Sequence, residues 1–195
     1  MTEPEIPRQA EVALPSRESL LLVIDMQNDF VDPQGRLLVP EAQKTLGAIQ
    51  HLLQKARDAG VRVAYTQDWH QEGDPEFAVW PPHCLAGSWG AQIVPALSPQ
   101  PGEMVFPKPR YDGFYGTPLD HWLHLWGIRW VVLVGTVTNI CVLHTAGSAA
   151  LRGFQVVLAE DATSALTPFD QLLALRQISF LYKGIITQSH GLRFT

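Results

Sequence analysis

The stretch VGTVTNICVLHTAGSAALRG, residues 134–153, runs from β-branched residues into a helical pattern, with one thiol, Cys141, at the junction. A cysteine in the first turn of a helix feels the positive end of the helix dipole and faces backbone N–H groups without helical partners. Both favour thiolate, the reactive form. The same N–H groups can hold the negative oxygen of a tetrahedral intermediate. A nearby carboxylate can take the thiol proton and a lysine can steady the charge; Asp25 in VIDMQNDF and Lys108 in FPKPR are residues of those types. Asp68 and His70 in DWH, with His83 in WPPHC, offer one carboxylate and two imidazoles, a set that leaves open positions on a divalent metal. Each residue also has a plainer reading. A free cysteine packs as a small hydrophobe, and an aspartate after a strand caps a turn. A lysine between prolines is a solvated turn residue, and loop histidines make ordinary hydrogen bonds.

The elements that must position these groups follow from the hydrophobic pattern. LLLVID (20–25) is a continuous apolar run of the kind a strand buried on both faces has. Residues 41–59 carry Leu46, Ile49, Leu52, Leu53 and Ala56 at helical spacing and stop at Gly60. Further strands are predicted at 61–66, 103–108, 129–135, 154–161 and 184–188, and further helices at 117–127, 140–152 and 168–182. Residues 67–102, crowded with proline and glycine, read as a long loop region, which inside a compact domain is usually functional. Strand–helix alternation predicts an α/β fold, a doubly wound six-stranded parallel sheet with helices on both faces. Such sheets bind ligands outside the carboxyl ends of their strands. Asp25, Asp68, His70, Lys108 and Cys141 all fall at or just after strand ends, so they can converge on one edge.

Composition sets the outer bounds. The 195 residues suit one domain, and 46% apolar with 17% charged residues is ordinary for a soluble protein. A formal net charge of −5 with no basic cluster argues against nucleic acid and anionic membranes as partners. Two cysteines make no disulfide framework, which points to a reduced, cytoplasmic setting. Residues 1–17, polar and proline-containing, read as a flexible N-terminal arm ahead of a single domain over 18–195. Six tryptophans are many for one domain; Trp122, Trp126 and Trp130 read as core or interface, and a homo-oligomer is expected.

VIDMQNDF, DWH, WPPHC, K…YDGFYGT and GTVTNICV, in that order, resemble the isochorismatase-like cysteine hydrolases over roughly residues 18–190. The superfamily includes nicotinamidases, carbamoyl-sarcosine amidases and ureidoacrylate amidohydrolases. The resemblance implies an Asp–Lys–Cys triad on Asp25, Lys108 and Cys141. It implies a non-proline cis peptide just before the helix, at Val137–Thr138, aiming backbone N–H groups of Thr138 and Cys141 at an oxyanion. Likeness to nicotinamidases implies one divalent ion, zinc or else iron or manganese, on Asp68, His70 and His83, with Glu76 as a fourth ligand in some. Cys84 could be a softer ligand or simply a packed thiol. Phe30, Trp80 and Tyr115 match pocket-wall positions.

The implied activity is cleavage of the C–N bond of a small carboxamide, with release of ammonia through a thioester. Two departures bear on the substrate. Nicotinamidases usually carry aspartate two residues before the nucleophile, where this chain has Asn139, and TNICV with FYGTPL is as similar to the ureidoacrylate branch. Isochorismatases proper have glycine in place of the cysteine, so Cys141 argues against that reaction. Another small amide or ureido compound, or a non-catalytic thiol- or metal-binding role on the same fold, are the alternatives.

Overall fold

A computed structural model describes residues 5–195. The strands, in chain order, are β1 (Val12–Leu14), β2 (Ser19–Ile24), β3 (Arg62–Asp68), β4 (Met104–Lys108), β5 (Trp130–Thr136), β6 (Gln155–Ser164), β7 (Ile185–Thr187) and β8 (Leu192–Phe194). The α-helices are α1 (Asn28–Val31), α2 (Ala42–Asp58), α3 (Leu119–Leu125), α4 (Leu143–Leu151) and α5 (Pro168–Phe180). The six predicted strands and four predicted helices are all present within a few residues of their expected limits.

Six strands form one parallel sheet in the order β4-β3-β2-β5-β6-β7. Alternate residues of each strand feed opposite cores, as the pleat requires. Leu21 and Val23 of β2 pack with Ile49, Leu52, Leu53 and Ala56 of α2 on one face. Leu20, Leu22 and Ile24 pack with Leu119, Leu123, Ala146, Ala149, Leu175 and Ile178, from α3, α4 and α5, on the other. Burying a side chain of this size contributes about 1.5–3 kcal/mol, so β2, buried along its whole length, is the spine of the molecule. Gly60, at φ +68°, ends α2 in the left-handed conformation that costs other residues most. Thr167 caps α5 by accepting from Asp170 N–H at 3.2 Å, with Pro168 in the first turn.

The segment expected to be a flexible arm is built into the body from residue 5 onward; its first four residues lie outside the described ones. Ile6 is buried in the second core, Arg8 pairs with Glu160 at 2.6 Å, and β1 pairs in parallel with β8. Three-residue strands carry no period to read, and each is stabilised by the other end of the chain. Lys55 holds that closure by donating to the carbonyls of Ser189, His190 and Leu192 at 2.9–3.3 Å.

From β2 the sheet grows outward to β3 and β4 on one side, and from β5 to β6 and β7 on the other. The β2/β5 boundary is therefore the topological switch point, where a crevice opens above the strand ends. Gly135 makes the close approach there possible. Its φ is +113°, and a Cβ would stand 2.1 Å from the carbonyl oxygen of Ile24. Gly135→Ala should destabilise the fold by more than about 4 kcal/mol or abolish soluble expression. Gly60→Ala, with the same handedness but open space around it, should cost only about 1–2 kcal/mol. Urea unfolding of the two variants checks the contrast; equal midpoints would show that the Ile24 contact does not matter.

Candidate active site

Three adjacent strands end in the groups that build the floor. Asp68 closes β3 and Lys108 closes β4 directly beside it in register. Asp25 follows β2 and turns at φ +50°, a left-handed conformation uncommon for an aspartate. The Lys108 ammonium is wholly buried, 2.8 Å from Asp25 Oδ2 and 2.9 Å from Asp68 Oδ1, and donates to Cys141 Sγ at 3.6 Å. Thr66 donates to the other oxygen of Asp25 at 2.7 Å. Asp25, Lys108 and Cys141 are thus brought together, as expected.

Charge is distributed unevenly among them. Burial alone would lower the pKa of Lys108, but Asp25 and Asp68 outweigh it and hold the ammonium charged. Burial raises the pKa of Asp25 and Lys108 only partly offsets it. Cys141 is raised well above the usual thiol range, by burial first, with Lys108 opposing. Burial therefore keeps the proton on sulfur despite the helix end. The local backbone differs from the expected one. Thr138–Val142 is a single π-helical turn that leads into α4, and π-bulges of this kind concentrate at functional sites. The N–H groups of Ile140 and Val142 both donate to the Val137 carbonyl, at 3.0 and 3.2 Å. The cis peptide joins Thr136 to Val137, not Val137 to Thr138. It lies where β5 passes into the turn, one residue earlier than the motif suggested.

The expected metal ligands also meet. Asp68, His70, Glu76 and His83 are buried, with one donor atom of each within 4.8 Å of all the others. The imidazoles are fixed from behind. His83 Nδ1 donates to the Pro81 carbonyl at 2.7 Å, and His70 Nδ1 faces Asp74 Oδ2 at 3.1 Å. Both Nε2 atoms then face Asp68 Oδ2, at 2.9 Å from His70 and 3.2 Å from His83. Acceptors do not face one another unless a proton or a cation lies between them. Glu76 Oε2, buried and without a hydrogen-bond partner, points to the same need. Charge agrees: four carboxylates (Asp25, Asp68, Asp74, Glu76) oppose two cations (Lys108, Arg110) around the site, a deficit that a divalent ion would offset. Cys84 takes no part. Its thiol is buried 3.9 Å from the Gly90 carbonyl oxygen, and burial raises its pKa far beyond the usual range.

A cleft of about 420 Å³, mouth included, opens above these groups. Phe30, Leu37, Val39, Trp80, Tyr111, Val137, Ile140 and Leu166 line it, with Cys141, Thr136, Asp68, Glu76 and His83 at the polar end. Phe30 and Trp80 stand where expected. Tyr115 does not: it is 61% exposed, and Tyr111 takes the wall position, accepting from Trp80 Nε1 at 3.0 Å. Sequence reading also passed over the residues that hold the 69–103 loop. Gln27 brackets Asp68, accepting from its N–H at 2.7 Å and donating to its carbonyl at 2.8 Å. Asp29 accepts from Cys84 N–H at 2.7 Å, beside His83. Both lie in VIDMQNDF, where three polar residues directly after a buried strand were the available signal.

Fold and side chains together are those of a parallel α/β cysteine hydrolase. The chain belongs to the isochorismatase-like cysteine hydrolase superfamily, and the Isochorismatase domain family matches residues 19–190. Among solved structures it is similar to N-carbamoylsarcosine amidase from Thermoplasma acidophilum, at 36% identity and TM-score 0.81, covering 88% of this chain and 96% of that one. A pyrazinamidase/nicotinamidase from Streptococcus mutans matches at 33% identity and TM-score 0.82, covering 86% and 99%. A pyrazinamidase of Pyrococcus horikoshii in complex with zinc matches at 32% identity and TM-score 0.82, covering 88% and 99%.

Metal entry has a measurable signature. Burial lowers the His70 pKa, but the hydrogen bond to Asp68 outweighs this and raises it to about 9 in the metal-free protein. An ion bound at Nε2 must displace that proton. Adding zinc to chelator-stripped protein at neutral pH should release about one proton per ion from this group. The release should vanish as pH rises through about 9, as read by calorimetry in buffers of different ionisation enthalpy. Binding without proton release at neutral pH would exclude His70 as a ligand.

Proposed function

We propose that this chain hydrolyses the C–N bond of a small, uncharged carboxamide, with Cys141 as nucleophile. The observation that carries the reading is the convergence of buried Asp25 and Lys108 on Cys141, whose side chain lines one apolar cleft. Asp25, made more basic by burial, accepts the Sγ proton as sulfur attacks the amide carbon. The C–S bond forms and the carbonyl π pair moves onto oxygen. Backbone N–H groups of Thr138 and Cys141 stabilise that oxyanion; those of Ile140 and Val142 are engaged by Val137. As the C–N bond breaks, Asp25 returns its proton to the leaving nitrogen and ammonia departs. Asp25 then takes a proton from water, whose oxygen attacks the thioester, and sulfur leaves as the thiol when that proton returns. Lys108 keeps its charge throughout and stabilises whichever of Asp25 and Cys141 is anionic.

Asp68, His70 and His83, with Glu76 beside them, are the groups that would hold a divalent ion, zinc being the leading candidate. When bound, such an ion offers an open position to a lone pair on the substrate.

The walls speak to substrate class. Aromatic and aliphatic side chains dominate them, and among the described residues no arginine or lysine lines the cleft. This favours a flat neutral amide such as nicotinamide over ureido or carbamoyl acids. The likeness to N-carbamoylsarcosine amidase keeps a carbamoyl acid as the second reading.

Cys141→Ala should fold normally and lose at least about three orders of magnitude in kcat, and Asp25→Asn should lose both the acyl-enzyme burst and turnover. Ammonia release from Cys141→Ala near the wild-type rate would end the proposal. A substrate panel tests the class. Nicotinamide should exceed N-carbamoylsarcosine in kcat/KM by at least about a hundredfold; the reverse order would replace the first reading by the second. Benzamide, lacking the ring nitrogen, should fall well below nicotinamide, and His83→Ala should erase most of that difference. Equal rates on the two amides would reject a role for the ring nitrogen.

A further inference from the structure

We propose that Asp74 is a positioning residue that fixes the metal ligand His70, and that Arg110 holds Asp74 in that role. This rests on the metal reading given above and assigns a task to residues outside the ligand set. Asp74 divides its carboxylate between two duties. Oδ2 faces His70 Nδ1 at 3.1 Å, and Oδ1 accepts from Glu76 N–H at 2.9 Å, capping the 3-10 turn Pro75–Ala78. One side chain thereby sets the ring of His70 and the backbone that presents Glu76.

Ligand geometry gains from this arrangement. A carboxylate only accepts, so His70 carries hydrogen on Nδ1 and turns Nε2 toward Asp68 and His83. An acceptor behind a ligating imidazole fixes its tautomer and ring plane and raises its basicity. His83 achieves the same with a backbone carbonyl, that of Pro81. His70 has no carbonyl behind it and depends on Asp74.

Arg110 closes the arrangement from the other side. Its Nη1 lies 3.1 Å from both oxygens of Asp74 and 3.9 Å from Glu76 Oε2. It sits two residues after Lys108, so the strand end that delivers the buried ammonium also delivers the guanidinium that sets the loop. Phe77, on the capped turn, stands edge-on to both His70 and His83, with ring centroids 5.4 and 5.9 Å away. Releasing Asp74 would loosen the turn and the ring together.

The test separates positioning from capping. Serine at 74 can still cap Glu76 N–H but is too short to reach His70; asparagine keeps a carbonyl oxygen for His70 Nδ1. Zinc affinity is measured by competition with a chromophoric chelator, and ring placement by the visible spectrum of the cobalt(II) form. Asp74→Ser should weaken zinc binding by about 10–100-fold and alter the cobalt bands. Asp74→Asn should remain closer to wild type in both. Arg110→Gln should weaken binding by a smaller factor, in the same direction. The proposal is overturned if Asp74→Ser binds zinc as wild type does, or if Asp74→Asn is no better than Asp74→Ser. A wild-type protein that binds neither ion would instead overturn the metal reading, and this proposal with it.

Discussion

A single buried ammonium organises the molecule's working end. Lys108 sits at the edge of the sheet with no exposure to water, and a bare charge there would cost many kcal/mol. Asp25 and Asp68, each within 2.9 Å, offset that cost. All three come from the ends of adjacent strands. The pairing constrains more than charge. Parallel register must bring Lys108 level with Asp68, and β2 must end so that Asp25 turns back over the ammonium. Cys141 from the fourth strand end then has one place left to go. The side of Asp68 turned away from Lys108 is the side that meets His70 and His83. That carboxylate therefore joins the thiol half of the site to the half built by the two imidazoles.

Burial of Ala91, Val94 and Leu97 in the first core anchors the long loop but does not fix its backbone, which carries little regular structure. Polar side chains from the start of α1 do so instead. Gln27 uses both ends of its amide, bonding the backbone of Asp68 and the carbonyl of Ala91. Asn28 donates to Trp89 and Asp29 accepts from Cys84 and Arg36. Gly90 is part of the fit, since a Cβ there would lie 2.2 Å from the Asp29 carboxylate. Buried polar groups of this kind raise stability only when every one is satisfied. That condition makes them specifiers of a single loop conformation.

What was legible in the sequence follows the physics of each feature. Continuous apolar runs such as 20–25 have one stable home, a strand buried on both faces, and helical spacing ending at glycine has another. The sheet and its order of use were readable on that account. Strand ends that converge in a doubly wound sheet put Asp25, Lys108 and Cys141 on one edge, and their grouping as a triad followed from the resemblance of their motifs to the cysteine hydrolases. The β1–β8 pair was not, since three residues show no period and their partners lie almost a chain length apart. Tyr115 and Tyr111 could not be separated, because the turn through Gly113 and Gly116 decides which ring faces the cleft. The state of the Cys141 thiol was only half legible for a related reason: its helix position is visible in the sequence, and its burial is not.

A neutral thiol under a raised carboxylate has a consequence for selectivity. A standing thiolate would react with any electrophile that reached it. In the proposed reaction the proton stays on sulfur until Asp25 takes it, and the burial that raises the thiol also raises Asp25. Proton transfer between two desolvated groups beside a fixed ammonium moves negative charge from one side of Lys108 to the other without changing the net charge of the pocket. Such a transfer needs little reorganisation of the surroundings. It does need water held back until the thioester has formed, and the apolar side chains of Phe30, Trp80, Ile140 and Leu166 on the walls favour that. Apolar walls suit a flat neutral substrate that completes their burial. In the proposed reaction, then, the apolar lining of the cleft selects the amide, and the burial of Cys141 beneath it keeps the thiol quiet until the amide is in place.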